Sequence, residues 1–189
     1  MPQHDLDGFR VAILVDTDFE QVELTEPKKA LDDAGATTRI VSPRPGPITG
    51  MKHDEKKDQF KVDLNLEQAS PDDFDAVMLP GGALNADTLR MNERARDFVR
   101  RMDQAGKPLA VICHAPWLLA SAGIAKGRRL TSYHTIQDDM RNAGAQWEDR
   151  DCIRDRNLVT SRQPSDLPVF NREMISMFKE SKGRNLKAA

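Results

Sequence analysis

A cysteine beside a histidine, in the run Ala110-Val-Ile-Cys-His-Ala-Pro-Trp117, is the pair in this chain best suited to covalent chemistry. Leu109 to Ile112 have the length and apolarity of a buried strand, and Trp117 to Ala120 read as an apolar helix. Cys113 then falls at a strand-to-helix turn, which predicts a sharp bend, an exposed sulfur and a nearby helix N-terminus. Unpaired amide dipoles there favour the thiolate, the nucleophilic form, so a lowered thiol pKa is expected. An isolated cysteine at a strand end is more often a small packed hydrophobe. His114 and a second, Gly-rich strand end upstream turn the reading towards chemistry.

That second strand end is Pro80-Gly81-Gly82, directly after the apolar run Ala76–Leu79. Glycines there let the backbone turn sharply and bring N–H groups close to a ligand. With the amide after Cys113 they would form an oxyanion hole, although Pro-Gly-Gly is also an ordinary turn. Neither a G-x-G-x-x-G nor a Walker pattern is present. Glu20 and Glu23 stand in the first turns of the helix that follows the first strand. Either carboxyl is a partner for the helix dipole, or it faces the Cys113 sulfur, partly buried and with a raised pKa, and moves a proton. Spacing from Pro27 favours Glu23 for the second role. An imidazole base needs an orienting group; Asp87 is a candidate, from this chain or a partner subunit, and equally an N-cap for a helix over 88–105.

The elements that must position these groups alternate along the chain. Phe9–Val15 reads as a strand buried on both faces, as in a parallel sheet. A helix over Glu20–Ala34 follows, started, kinked or shortened by Pro27 and capped by Gly35. Strands are expected at Thr37–Val41, Ala76–Leu79, Leu109–Ile112, Arg129–Thr131, Gln146–Trp147, Cys152–Ile153 and Leu158–Thr160. Residues 48–66 predict a hairpin or edge strands, with the alternation Phe60-Lys-Val-Asp-Leu64 as their clearest pattern. Helices are expected over Thr88–Ala105, Thr135–Ala143 and Leu167–Lys182. The pattern specifies one doubly wound α/β domain over residues 9–182, between a flexible arm, 1–8, and a frayed tail, 183–189. In such a sheet, sites form at the carboxyl ends of strands, where Glu20/Glu23, Gly81-Gly82 and Cys113-His114 converge.

With 189 residues the chain can bury a two-sided core without staples. Its net charge of -2 provides no basic footprint for nucleic acid. Cys113 and Cys152 form no disulfide framework, which points to free thiols in a reducing cytoplasm; residues 1–8 lack a signal-peptide pattern. No apolar run reaches the roughly 20 residues of a membrane span. His4, His53, His114 and His134 show no ligand-like spacing, so neither a metal nor a cofactor is expected.

The chain also resembles a known family over roughly residues 9–180. Phe19-Glu-Gln-Val-Glu-Leu24, Leu79-Pro-Gly-Gly82, Ala110–Trp117, Leu130-Thr-Ser-Tyr133, Asn142-Ala-Gly-Ala145 and Ser161-Arg-Gln-Pro-Ser-Asp-Leu-Pro168 are similar to the motifs of ThiJ/PfpI proteins, in the PfpI branch of the class I glutamine amidotransferase-like superfamily. The resemblance implies a flavodoxin-like, mostly parallel sheet with helices on both faces and a nucleophile elbow. It implies Cys113 as nucleophile, His114 as its partner, Glu23 as the carboxyl facing the sulfur and Tyr133 in the pocket wall. An acid after the Gly-Gly turn, from a neighbouring subunit, would complete the site. That acid is often Glu in the family, and the nearest match here, Asp87, is one methylene shorter. His134 reads as a loop histidine and Cys152 as core packing.

The function so implied is a cofactor-independent cysteine enzyme of carbonyl and oxidative stress, acting through Cys113 on a small aldehyde, a glycated protein or a peptide. Deglycase, glyoxalase and intracellular peptidase chemistry all use this nucleophile. The competing class is a non-enzymatic redox sensor or chaperone, because a low-pKa thiol oxidises readily. A cytoplasmic homodimer or larger homo-oligomer is expected by resemblance, with neither nucleic acid nor membrane as partner. A glutamine amidotransferase would need a downstream His and Glu on one strand-end loop; His134 comes too early for that.

Overall fold

The computed structural model describes residues 5–188, and its centre is a seven-stranded sheet. Strands β1 (Arg10–Leu14), β2 (Phe19–Glu20), β3 (Thr37–Ser42), β4 (Ile48–Lys52), β5 (Glu55–Phe60) and β6 (Leu64–Asn65) occupy the first third. They are followed by β7 (Ala76–Leu79), β8 (Leu109–Ile112), β9 (Arg129–Leu130), β10 (Gln146–Trp147), β11 (Cys152–Asp155) and β12 (Leu158–Ser161). The sheet order is β11-β12-β8-β7-β1-β3-β6. All its pairings are parallel except β11 with β12. From β1 the chain builds outward to β3 and β6, then returns to place β7, β8 and β12 on the other side. The switch point between β1 and β7 is where a doubly wound fold opens a crevice at its strand carboxyl ends.

Helices α1 (Gln21–Asp33), α2 (Ala83–Met91), α3 (Glu93–Gln104), α4 (Pro116–Ser121), α5 (Gln137–Asn142) and α6 (Leu167–Ala188) cover both faces. Successive strand residues point to opposite sides of the sheet, so β1 splits between two cores. Val11 and Ile13 pack with Leu24 and Leu31 of α1 and Phe170, Met174 and Phe178 of α6. Ala12 and Leu14 pack with Phe98 and Met102 of α3, Leu118 of α4 and Met140 of α5. This explains the unbroken apolar runs of β1, β7 and β8: both faces of the sheet are covered.

Several expected boundaries are corrected. Pro27 neither starts nor shortens α1, which runs through it; the helix forgoes one i−4 hydrogen bond while burying Leu24, Pro27 and Leu31. Gly35 follows the cap residue Ala34 with φ 90°, and its N–H donates to the Asp32 carbonyl at 3.0 Å. The expected helix over 88–105 is two helices. α2 starts at Ala83, and Asn92 interrupts it, accepting a 3.0 Å hydrogen bond from the Ala95 N–H as the N-cap of α3. Asp87 is therefore inside α2 and is not an N-cap. The hairpin expected in residues 48–66 is β4–β5, flanking the turn at His53. The alternation Phe60–Leu64 instead spans the passage from β5 to β6, with Asp63 accepting from the Ile40 N–H at 2.8 Å.

At the termini, Met1–His4 lie outside the described residues, but the next residues are tied down. Leu6 is fully buried and its N–H donates to the Ala34 carbonyl at 2.9 Å; Lys182 Nζ donates to the Asp7 carbonyl at 2.7 Å. The tail expected to fray from Gly183 continues α6 to Ala188. Gly183 is not among the glycines with positive φ, so it does not terminate the helix. Among the described residues no helix is long and apolar enough to cross a membrane.

Candidate active site

Cys113 follows β8 with φ 64°, a left-handed conformation that costs a non-glycine residue on the order of 1–3 kcal/mol. Flanking hydrogen bonds hold it there. Its N–H donates to the Ser161 carbonyl at 3.0 Å and its carbonyl accepts from the Tyr133 N–H at 2.8 Å. The elbow expected from sequence is present, but two of its expected properties are not. The residue is 6% exposed, so its sulfur is not an open surface group. Burial also pushes the thiol well above its ordinary pKa, and the Glu23 carboxylate pushes the same way. The helix expected to offset this is α4, which begins only at Pro116 and has six residues. The amides of Gly82 and His114, hydrogen-bonded to the sulfur, act in the lowering direction.

Glu23, on the first turns of α1, is fully buried, and burial raises its pKa to about 8. The Cys113 sulfur and the Gly81 N–H oppose that rise, while the charge of Glu20 adds to it. At pH 7 Glu23 is therefore a neutral acid, and its push on the thiol is absent. The pair tolerates at most one negative charge, and when the sulfur ionises the Glu23 hydroxyl is placed to donate to it. One carboxyl oxygen, Oε2, accepts from the Gly81 N–H at 2.9 Å. Oε1 is buried with no N–H or O–H partner among the described residues.

The two glycines have separate duties. A Cβ on Gly81 would stand 2.5 Å from the Cys113 Cβ and 2.9 Å from the Ile112 carbonyl oxygen, and would also overlap Glu23 Oε2. No other residue fits between the Cys113 thiol and the Glu23 carboxyl. Gly82 has φ 88°, and a Cβ there would meet the Glu20 nitrogen at 2.6 Å. The expected oxyanion hole is redistributed accordingly: the Gly81 N–H is taken by Glu23, leaving the amides of Gly82 and His114 beside the sulfur.

His114 Nδ1 lies 3.2 Å from Cys113 Sγ. Its Nε2 lies 3.3 Å from Thr135 Oγ1. The imidazole stacks on Tyr133 with ring centroids 4.7 Å apart. Burial, and next the charge of His134, lower its pKa to about 4, so the ring is neutral at pH 7. Neutral His114 with the proton on Nε2 donates to Thr135 and leaves Nδ1 to accept from the thiol. Thr135 was not singled out by the sequence; the single threonine after Tyr133-His134 carries no chemical signature of its own. His134 itself opens a 3-10 turn, exposed and close to the Tyr133 ring.

Asp87 is not brought to this cluster. It is exposed on α2, and no hydrogen bond joins it to His114 among the described residues. Glu20 is at the rim, where it accepts from the His53 N–H at 3.1 Å. Cys152 is half-buried against the core, and burial raises its thiol to about 11. Around Cys113 the cleft measures about 410 Å³, and it is walled by Glu20, His53, Leu84, Tyr133, Gln163 and Ser165 among others. Gln163 and Ser165 follow the end of β12, a fourth strand end beyond the three whose sequences point to the site.

A left-handed cysteine after a central parallel strand, beside a buried neutral carboxyl, defines an α/β protein with a nucleophile elbow. The chain belongs to the DJ-1/PfpI family, whose model matches residues 9–177. It is 44% identical over 170 residues to the protein named Deglycase PfpI of Pyrococcus furiosus, covering 90% of this chain and 99% of that one. The protein named Putative cysteine protease YraA of Bacillus subtilis is 36% identical over 170 residues, covering 90% and 98%. Among solved structures, Drosophila melanogaster DJ-1beta superposes with a TM-score of 0.81 at 25% identity, over 94% of this chain and 97% of that one.

Proposed function

We propose that this protein is a cofactor-independent cysteine enzyme that removes α-oxoaldehydes and their adducts with amines. The observation that carries the reading is the fully buried Glu23, neutral at pH 7, beside a thiol whose neighbour His114 Nδ1 is 3.2 Å away. His114 accepts the thiol proton as Cys113 Sγ attacks the aldehyde carbon, and a C–S bond forms as the C=O π bond opens. Amides of Gly82 and His114 stabilise the oxyanion, which takes up a proton to become a hemithioacetal. If the carbon instead carries an amine, as in a glycated side chain, the sulfur displaces the amine and the same intermediate forms.

The proton on the former aldehyde carbon then moves, by way of an enediol, to the adjacent carbon, leaving a thioester of a 2-hydroxy acid. Glu23 or His114 is the shuttle. Water cleaves the thioester and regenerates the thiol. The sum is α-oxoaldehyde plus water to 2-hydroxy acid, an internal redox change that needs neither an external oxidant nor a cofactor. The deglycase name of the Pyrococcus furiosus relative supports this reading.

Peptidase chemistry is the second reading, supported by the name of the Bacillus subtilis relative. It would need a carboxylate on His114 Nε2, a place that Thr135 occupies within one chain. In a homodimer or larger assembly, Asp87 of a second copy would supply that acid. Leu84 and Met91 on α2, exposed by 61% and 73%, are the apolar surface that favours such an assembly.

The test is turnover of methylglyoxal and of its amine adduct by wild type and Cys113→Ala, with lactate and free amine both quantified. Many turnovers by wild type and none by the variant establish the enzyme. Stoichiometric trapping without lactate overturns the reading in favour of a redox-sensing thiol, and cleavage of a peptide panel in the absence of lactate would favour the peptidase.

A further inference from the structure

Asn85 on α2 is fully buried, yet it is not part of the cleft wall, and the chemistry above does not use it. All of its side-chain hydrogen bonds go to backbone at the two strand ends flanking the switch point. Its Nδ2 donates to the Pro80 carbonyl at 3.0 Å and to the Gly81 carbonyl at 2.9 Å. Its Oδ1 accepts from the Asp16 N–H, just beyond β1, at 2.7 Å. One planar amide thereby ties the end of β1 to the turn after β7. From that turn the Gly81 N–H reaches Glu23 and the Gly82 N–H reaches the Cys113 sulfur.

We infer that Asn85 is a positioning residue for the reaction: it sets the orientation of the Gly81 and Gly82 peptides, and through them the two N–H donors that serve the acid and the nucleophile. The reason is geometric. A glycine pair has a wide range of backbone conformations, and its peptides rotate readily unless their carbonyls are fixed. Asn85 holds the carbonyls of Pro80 and Gly81, which belong to the same peptide planes as the N–H groups of Gly81 and Gly82. Peptide planarity makes each pair move together. Rotating one carbonyl away from Asn85 swings the paired N–H away from its target. Ala could occupy the same site in a helix without supplying either bond, and Asp would keep the acceptor for Asp16 but, ionised or held neutral by burial, could donate to at most one of the two carbonyls.

This inference rests on the proposed chemistry for its kinetic readout but not for its chemical one. Asn85→Ala and Asn85→Asp are compared with wild type, and Asn92→Ala, which removes only the α3 cap, serves as the purely structural control. The first measurement is the rate of Cys113 alkylation by iodoacetamide against pH, read by intact mass, with Cys152 distinguished by peptide mapping. Losing the Gly82 donor destabilises the thiolate, so the alkylation profile shifts to higher pH in both Asn85 variants and stays in place in Asn92→Ala. The second is methylglyoxal turnover, where kcat falls about 10- to 100-fold with a smaller change in KM. A shifted alkylation profile with no turnover by any form, wild type included, supports the positioning role and removes the proposed reaction. An unshifted profile in folded Asn85→Asp overturns the inference, whatever its activity. Asn85→Asp preserves the side-chain volume, so the test stands even if Asn85→Ala does not fold.

Discussion

Two buried ionisable centres sit at opposite edges of the sheet, and their chemistry is opposite. At the carboxyl edge, Glu23 has no cation beside it among the described residues, and burial raises it to about 8. At the amino edge, Arg128 is 4% exposed and fully engaged. Its Nε donates to Asp155 and its Nη1 to Asp103, both at 3.0 Å, while Nη2 reaches the Asp155 carbonyl and Asn157 Oδ1. Burial pushes Asp155 up as well, but the hydrogen bonds from Arg128 and from the Arg129 N–H outweigh it and leave the carboxyl lowered. Desolvation is common to both places. What differs is whether the fold supplies a countercharge. Where it does, the group is a strut joining α3, β9 and the β11–β12 turn; where it does not, the group keeps a proton to exchange.

The largest expected separation between the two centres is in activity. Glu23→Gln keeps shape and neutrality but cannot release a proton, and turnover should fall about 10²- to 10⁴-fold in a lactate assay. Arg128→Ala should leave turnover per folded molecule unchanged. Its cost is in stability: about 3–5 kcal/mol by urea denaturation, because Asp103 and Asp155 lose their buried partner. A variant at Arg128 that folded normally and lost activity would break the distinction.

A next, smaller effect is pH-dependent. Unfolded Glu23 ionises above about 4.5, whereas the folded carboxyl holds its proton to about 8, so the folded state binds more protons across that window. Stability contributed by the neutral group is whole below 4.5 and is lost as pH rises towards 8. Glu23→Gln should therefore gain stability relative to wild type as pH increases from 4.5 to 8, on the order of a few kcal/mol at the top of the range. Denaturation midpoints at both pH values would check it, and a constant gap would mean that Glu23 is charged in the folded protein. In kinetics, kcat/KM should fall above about pH 8 as Glu23 ionises and below about pH 4 as His114 is protonated. The alkaline limb should vanish in Glu23→Gln. The smallest effect is expected at Thr135→Val, where losing one orienting hydrogen bond to His114 should cost a few-fold in kcat with the fold intact.

Much of the scaffold was legible along the chain. β7 and β8 were read to the residue because a strand covered on both faces writes itself as an unbroken apolar run. Cys113, His114, Gly81, Gly82 and Glu23 were legible for a related reason: each follows such a run or opens the helix after it. The errors fall where local signals compete with packing. Pro27 broke a helical pattern on paper, yet burial of one face of α1 carries the helix through. Asn92 was hidden inside an apparent single helix, and with it the placement of Asp87.

Sequence alone determined the type of sheet, the elbow and which side chains stand at the strand ends around it, because these depend on apolar periodicity and on the residues that follow each apolar run. Protonation states and partners were decided by the tertiary structure. That Cys113 is buried, that Glu23 is neutral, that Gly81 serves the acid, and that Thr135 and Asn85 hold the pieces all depend on segments distant in sequence. Desolvation and hydrogen-bond direction belong to the assembled surroundings of an atom, and no local pattern of residues encodes them.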